Sequence, residues 1–406
     1  MLYEMDSAAT ARLEKYFGGI SALLKDRRKR ESFAMYAFGI LGDGERKSAE
    51  PIAARACTKP ERARNVHDKL LHFLGGAKWS DEAVRLEAAR YAIGALSERE
   101  DVGTWIVDDT GFLKQGRHSV GVQRQYTGSA GKITNCQIGV SLGVATSREH
   151  LPIDFALYLP EDWANDPARR TKARIPPDVQ FRTKIDLALD MIEKAVCAEL
   201  PGEIVLADSA YGESSAFRET VRALGLDYGV GVHSTTKVRR VGSNGRLGLP
   251  FSAAELGLRI PKKKFRKITW REGSKKSLAS RFHLCRVKTV HNDGMPIENR
   301  EAVWLIIEWP YDDLAPSKFM LTTLRDTMSK KGLVRHIKER WRTERMYEDM
   351  KGELGLDHFE GRSFRGWHHH VSVVICCYAF VVAERAKIFP PSPGRKSRDR
   401  SLGLAA

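Results

Sequence analysis

The chain has 406 residues, 42% of them hydrophobic and 29% charged, with a net charge of +16. These values exclude a disordered or fibrous polypeptide, leave room for two or three domains with a sizeable core, and favour a polyanionic partner, nucleic acid ahead of an anionic membrane. Six scattered cysteines without a Cys-x-x-Cys pair argue against a zinc ribbon, a redox motif or a disulfide scaffold. The opening Met-Leu-Tyr-Glu-Met-Asp lacks the basic and apolar regions of a signal peptide, and the longest apolar run, 371–383, is too short to span a bilayer. A soluble cytoplasmic protein with no membrane partner is expected.

Residues 1–100 are predicted to be helical, with apolar residues at helical spacing over 8–24, 31–41, 60–74 and 81–96. Thr58 with Glu61 forms a candidate capping box, and Ser80 a candidate cap. This segment carries a net charge of only +3, with one basic cluster, Lys25-Asp26-Arg27-Arg28-Lys29-Arg30. It is expected to be a helical N-terminal domain, for DNA binding or for packing.

Trp105-Ile106-Val107-Asp108-Asp109 is an apolar strand ending in two acids. Strands over 119–126, 135–145 and 151–159 follow, then a polar loop over 160–177. Ile185, Leu189, Ile192 and Val196 mark an amphipathic helix over 181–200. Glu203-Ile204-Val205-Leu206-Ala207-Asp208 is a second apolar strand closed by an acid, followed by a helix over 214–224 and a strand over 228–232. Strands in succession, then helix, strand, helix and strand, is a ribonuclease-H-like α/β arrangement: a mixed sheet flanked by helices, with right-handed crossovers and active groups where strands end.

The predicted catalytic core, first part, spans 101–232. A basic β-rich insertion follows over 233–326, with strands at 237–241, 281–290, 301–309 and 318–324. Residues 231–300 hold 17 Lys or Arg against 4 Asp or Glu, so +13 of the net charge resides there. Lys262, Lys263, Lys264, Arg266 and Lys267, interleaved with Phe265 and Trp270, have the composition of a surface that tracks a phosphate backbone. The second part of the core, 327–388, contains a helical run with Thr327 and Ser329 as candidate caps and Gly352 and Gly355 as candidate stops. On one continuous helix, Arg340, Glu344 and Lys351 fall within about 40° of each other. A further helix lies near 366–385, and 389–406 is expected to be a disordered basic tail.

Asp108 or Asp109, Asp208 and Glu344 therefore stand where sheet and helix ends converge. Singly, each acid reads as a strand-end or surface carboxylate; together they repel one another unless a cation intervenes. Oxygen ligands suit Mg²⁺ or Mn²⁺, and two such ions about 4 Å apart activate an oxygen nucleophile at phosphorus. Gly-rich phosphate loops and Ser/His/Asp signatures are absent, which disfavours nucleotide hydrolysis and acyl transfer. His368-His369-His370 point about 100° apart on a helix and make a poor joint metal site.

Asp108-Asp109-Thr110-Gly111-Phe112, Asp208-Ser209-Ala210-Tyr211-Gly212 and Arg340-(3)-Glu344-(6)-Lys351 resemble the DDE transposases of bacterial insertion sequences. The last pattern matches their Y-(2)-R-(3)-E-(6)-K signature at three of four positions, with Ile337 in the tyrosine's place. Residues 119–126 and 356–362 narrow the resemblance to the subgroup named after insertion sequence seven-hundred-and-one. The resemblance implies a transposase that binds terminal inverted repeats, cuts with two Mg²⁺ (or Mn²⁺) ions and joins 3′-OH ends to target DNA, as a dimer on double-stranded DNA. It makes Asp108, Asp208 and Glu344 the catalytic metal ligands, and Arg340 and Lys351 phosphate contacts. Strand alternation turns Asp109 to the other face. Glu348 is the alternative third ligand; Trp270, Trp304 and Trp309 are candidate insertion aromatics for a flipped base, and Trp270 is preferred because the other two lie in apolar strands. The alternatives are an inactive or domesticated DNA-binding protein and a ribonuclease-H-like nuclease without strand transfer.

Overall fold

The computed structural model describes residues 7–57, 59–271, 277–291, 295–324 and 327–388. Five helices open the chain: α1 (Ser7–Ala22), α2 (Arg27–Leu41), α3 (Ala49–Ala56), α4 (Pro60–Leu71), running into a short π-helical turn at His72–Gly76, and α5 (Asp81–Ser97). Ser80 caps α5 by accepting from the Ala83 amide. The cap position of α4 is Lys59, with no side-chain cap; Thr58, the expected cap, lies outside the described residues, as does 389–406.

The sheet begins with β1 (Thr104–Leu113), β2 (Gln123–Thr127), β3 (Lys132–Ala145) and β4 (His150–Tyr158). The stretch expected as a loop holds two short helices, α6 (Glu161–Ala164) and α7 (Pro167–Ala173), the second capped by Asp166. Pattern reading misses helices this short because neither completes two turns of apolar periodicity. Then come α8 (Lys184–Cys197), β5 (Ile204–Ala207), α9 (Ser209–Gly212), α10 (Ser215–Ala223) and β6 (Asp227–Val232). Thr183 and Asp186 close a capping box on α8, which fixes its start beside the sheet.

β3 runs antiparallel to β1 and β4 antiparallel to β3, while β1, β5 and β6 are parallel neighbours. The order β4-β3-β1-β5-β6 is the ribonuclease-H-like core. The strands of the insertion are β7 (Lys237–Val241), β8 (Leu247–Ser252), β9 (Arg266–Arg271), β10 (Leu278–Thr289), β11 (Val303–Trp309) and β12 (Lys318–Thr322), with α11 (Ala253–Arg259) between β8 and β9. β12 pairs antiparallel with β6, so the insertion lengthens the core sheet in the order β6-β12-β11-β10-β7-β8.

The chain returns through α12 (Lys330–Lys338), capped by Ser329, a 3₁₀ turn at Glu339–Trp341, α13 (Arg342–Gly352) and α14 (Phe364–Lys387). The expected single helix is thus broken, and Arg340 sits in the 3₁₀ turn rather than on one continuous stripe with Glu344 and Lys351. α12 lays Leu333, Val334 and Ile337 on a core cluster that joins Ile106 and Leu206 to Ile268, Phe282 and Ile306 of the insertion. Ile337, in the signature's tyrosine position, is buried there.

α14 is long and apolar enough to cross a membrane, but 89% of its apolar window is buried within the fold. It packs on β4, α5, α2 and the π-helical turn. Its three histidines point apart: His368 faces the Phe364 carbonyl, His369 stacks on Trp79, and His370 meets the Tyr36 hydroxyl. All six cysteines are free thiols.

Candidate active site

The site starts from register. Ile106 of β1 faces Leu206 of β5 in a parallel pair. Two residues beyond that pair stand Asp108, inside β1, and Asp208, just past the end of β5, near enough for the Asp208 charge to act on the Asp108 carboxyl. β5 stops at Ala207, and Asp208 becomes the cap of α9, accepting from the Ala210 amide at 2.9 Å. α9 can press onto β6 because glycines line the contact: a Cβ at Gly212 would lie 2.1 Å from the Gly231 carbonyl oxygen.

Alternation separates the paired acids. Asp108 is the cross-strand partner of Ser141, whose hydroxyl lies 2.7 Å from the Tyr347 hydroxyl of α13. Asp109 faces the opposite side of the sheet, where the Lys184 ammonium donates to it at 2.9 Å. Asp108 is the acid that faces α13.

The Asp108 carboxyl is pushed up to about 7 by burial; the Arg340 charge and the Asp109 amide hold it down, and the negative charges of Asp208 and Asp109 raise it further. Arg340 donates to Asp108 at 2.8 Å, and its other terminal nitrogen lies 3.6 Å from Glu344. One guanidinium therefore bridges the first acid and the third. Glu344 is 67% exposed at its side chain, so it can reorient at little packing cost.

This donor set is all oxygen, which suits a hard divalent cation. A buried carboxyl raised by its own desolvation and by a neighbouring acid is stabilised by such a cation. The hydroxyl of Tyr211, close enough to feel all three aspartates, is buried without a hydrogen-bond partner among the described atoms. As the side chains stand, no group of three or more His, Cys, Asp or Glu among the described residues is arranged to hold a metal ion. Asp208 lies near enough to act on the Asp108 carboxyl, and Glu344 is linked to Asp108 through Arg340.

Beside the acids opens a cleft of about 550 Å³, lined among others by Asp208, Trp270, Glu308, Lys338, Arg340 and Glu344. Its floor holds an ion pair that sequence reasoning missed. Lys338, the last residue of α12, donates to Glu308 at 2.5 Å, and the Glu308 side chain is 2% exposed. The signal was present: Glu308 follows an apolar run as Asp108 and Asp208 follow theirs, although β1 does not end at its acids as expected but continues to Leu113, held by its full-length pairing with β3. The Lys338 ammonium also lies 4.6 Å from the centre of the Trp270 ring.

The remaining predicted residues are distributed as follows. Lys262, Lys263 and Lys264 form an exposed 3₁₀ turn, and Arg266 and Lys267 begin β9, also exposed. Trp270, four residues beyond Arg266, reaches the cleft. Lys351 faces neither Glu344 nor Glu348; its ammonium donates to the Thr110 hydroxyl, the Gly111 carbonyl and the Ser129 hydroxyl, tying α13 to β1. Glu348 is exposed and pairs with Arg345.

The family model for the DDE superfamily endonucleases matches residues 19–277. The chain belongs to this superfamily. It is also similar to a protein described as a probable transposase for insertion sequence element IS701 from Microchaete diplosiphon, 28% identical over 223 residues, 55% of this chain and 54% of that relative. The chain thus aligns with about half the length of the curated relative it matches. The family match takes in β1, β5 and β9, and so Asp108 and Asp208; Glu344 lies beyond it.

Proposed function

We propose that this DDE protein is a transposase that cuts DNA at the ends of its element and joins the freed 3′-OH ends to target DNA. The observation that carries this reading is the convergence of Asp108, in β1, with Asp208, just past the neighbouring parallel strand β5, and of Arg340, which links Asp108 to Glu344 beside a cationic, aromatic cleft. Asp108, Asp208 and Glu344 would hold the divalent ions. When bound, these supply Lewis-acid stabilisation of the attacking and leaving oxygens.

The chain's own residues provide the rest. Arg340 presents a planar fork suited to a phosphate once it leaves Asp108. Lys338 and Trp270 furnish a charge and a ring face for a nucleotide in the cleft. Lys262, Lys263, Lys264, Arg266 and Lys267 lead up to it along β9 and would track the backbone of double-stranded DNA. On the front helices, Arg27 and Arg28 are exposed in the first turn of α2. Arg27 pairs with Glu31 one turn on at 2.8 Å; Arg28, a cation where the helix dipole disfavours one, is the residue there best placed for a phosphate partner. Two ends must be held together for transposition, so the working form on DNA is a dimer.

A second reading, a DNA-binding protein that no longer cuts, is favoured by one observation: Glu344 pairs with Arg340 and does not close a cage with the aspartates. Nicking and strand joining of a terminal-repeat duplex in Mg²⁺ separate the two, with Asp208→Ala and Glu344→Ala as controls. Loss of both activities in each variant supports the transposase. Cutting that survives both substitutions removes the proposed site, and a wild-type protein that binds but never nicks supports the second reading.

A further inference from the structure

The β2–β3 hairpin carries a feature that the acid site does not use. The tip of the hairpin is fastened to β1 two residues beyond Asp108: the Ser129 hydroxyl lies 3.2 Å from that of Thr110, accepts from the Gly111 amide at 3.3 Å and from the Lys351 ammonium at 3.2 Å. Thr127 turns inward, so close that a Cβ at Gly111 would lie 2.0 Å from its hydroxyl. Alternation then turns Tyr126 and Arg124 outward. Tyr126 is 64% exposed, and its cross-strand partner Ile133 is 61% exposed. An aromatic and a branched aliphatic side chain thus stand side by side in solvent on a hairpin pinned at its tip. Such a pair contributes little to the fold where it stands, and its rigid presentation lowers the ordering cost of a partner.

The charge around it selects that partner. The hairpin strands themselves supply the cations Arg124 and Lys132, both exposed, and β2 and the turn that follows it contain no Asp or Glu. Arg124 shares the outward face with Tyr126 and is itself exposed. A flat exposed ring with a guanidinium on the same face fits an unpaired nucleotide: base on ring, phosphate on guanidinium.

We propose that Tyr126, with Ile133 beside it and Arg124 on the phosphate, is a stacking platform for single-stranded DNA next to the acid site. The proposal rests on the reading of the protein as one that acts on DNA, but not on its cutting. The platform takes a base from a strand whose pairing has been opened, and it is separate from the cleft that holds Trp270.

The test is fluorescence anisotropy with labelled oligo(dT) and with a labelled duplex of equal length, on the full chain in EDTA, so that no strand is cut. Tyr126→Ala should weaken oligo(dT) binding by about 5- to 100-fold. Tyr126→Phe, which keeps the ring, should stay within about twofold of wild type by the same reasoning. Duplex binding should change far less than single-strand binding. Arg124→Ala should lower the slope of log affinity against log salt by about 0.7 for single strands, while Tyr126→Ala leaves that slope unchanged. A thermal melt of each variant confirms folding. Equal oligo(dT) affinity in Tyr126→Ala and wild type would overturn the proposal. So would a Phe variant as weak as the Ala variant, or a wild type that binds no single strand. Loss of self-association in Tyr126→Ala with single-strand binding intact would assign the surface to a second copy of the chain instead. Loss of nicking in Asp208→Ala with wild-type oligo(dT) binding would show that the platform and the cleavage reading stand or fall separately.

Discussion

Replacing Lys338 with Met should cost more stability than its position beside an open cleft suggests. Its ammonium sits 2.5 Å from a Glu308 carboxylate whose side chain is 2% exposed, and its own side chain is 18% exposed. At that distance and an effective dielectric of about 20, the gross attraction is about 7 kcal/mol. Desolvating two ions offsets most of it, so the intact pair contributes little net. Removing one partner is different, because the carboxylate stays buried and uncompensated; the expected loss is about 3–5 kcal/mol. Lys338→Met should therefore lower the melting temperature by several degrees. Lys338→Met combined with Glu308→Leu should recover most of it, since an apolar pair of similar volume avoids the charge burial. Differential scanning calorimetry on the three proteins decides the matter. A single variant that melts with wild type, or a double variant that melts below the single, would refute the ion-pair argument. The pair also has a positional consequence: Lys338 directly precedes the 3₁₀ turn that aims Arg340 at Asp108.

Asp108 gives a pH signature. Its folded carboxyl is raised to about 7, against about 3.9 in an unfolded chain. The folded state then binds the proton more tightly, and stability falls as pH rises from about 4 to about 7. Thermal melts across that range should show the slope, and Asp108→Asn should flatten it; an unchanged slope would place the titration elsewhere. Lys351→Met should destabilise the fold by about 1–3 kcal/mol, because it strips a donor from the Thr110, Gly111 and Ser129 acceptors. A free phosphate contact would instead lower DNA affinity with the melting temperature unchanged. Arg85 joins Asp81 at 2.6 Å, Asp154 at 2.7 Å and the Ser372 hydroxyl at 2.8 Å in a buried cluster. Burial works to raise the Asp81 carboxyl, but the Arg85 charge and hydrogen bond outweigh it and hold the group well below the usual carboxylate range. Wild type should lose this contribution only as pH falls below about 4. Arg85→Leu leaves two carboxylates facing each other, so its melting temperature should rise as pH approaches 4; parallel pH curves for the two proteins would refute this.

The sheet was legible because its strands advertise themselves. Trp105–Asp108 and Ile204–Asp208 are short apolar runs with an acid at the end; their apolar parts are neighbouring buried strands, although β1 runs on past its acids to Leu113 and Asp208 caps α9 just outside β5. The amphipathic α8 and the Ser80 cap were equally plain. What pattern reading missed follows from local weakness of signal or from tertiary override. β8, with Gly248 and Pro250, has little strand propensity and is held by pairing with β7. The break at Glu339–Trp341 is invisible on a helical wheel, since no Gly or Pro marks it; the side chains it directs into the site do. Of the candidate site, residue types and their convergence were readable, but partners were not. The family resemblance makes Lys351 a phosphate contact, whereas its acceptors lie on β1 and on the turn after β2, more than two hundred residues upstream. No spacing rule reaches that far.

The insertion's place in the sheet changes how the third acid is positioned. A β-rich segment hung on a flexible stalk would leave Glu344 to be placed by the core alone. Here β12 pairs with β6, and α12 then crosses a core cluster drawn from both parts: Ile106 and Leu206 below it from the strands that carry the aspartates, Ile268, Phe282 and Ile306 from the insertion. Well-packed interiors transmit small displacements rather than absorbing them. The helix end that bears Lys338, the turn that bears Arg340 and the first turn of α13 that bears Glu344 are consequently located by insertion side chains as much as by the strands they face. Glu344 rests on Arg340 with most of its side chain in solvent, so a displacement of this layer reaches it through the turn that carries Arg340.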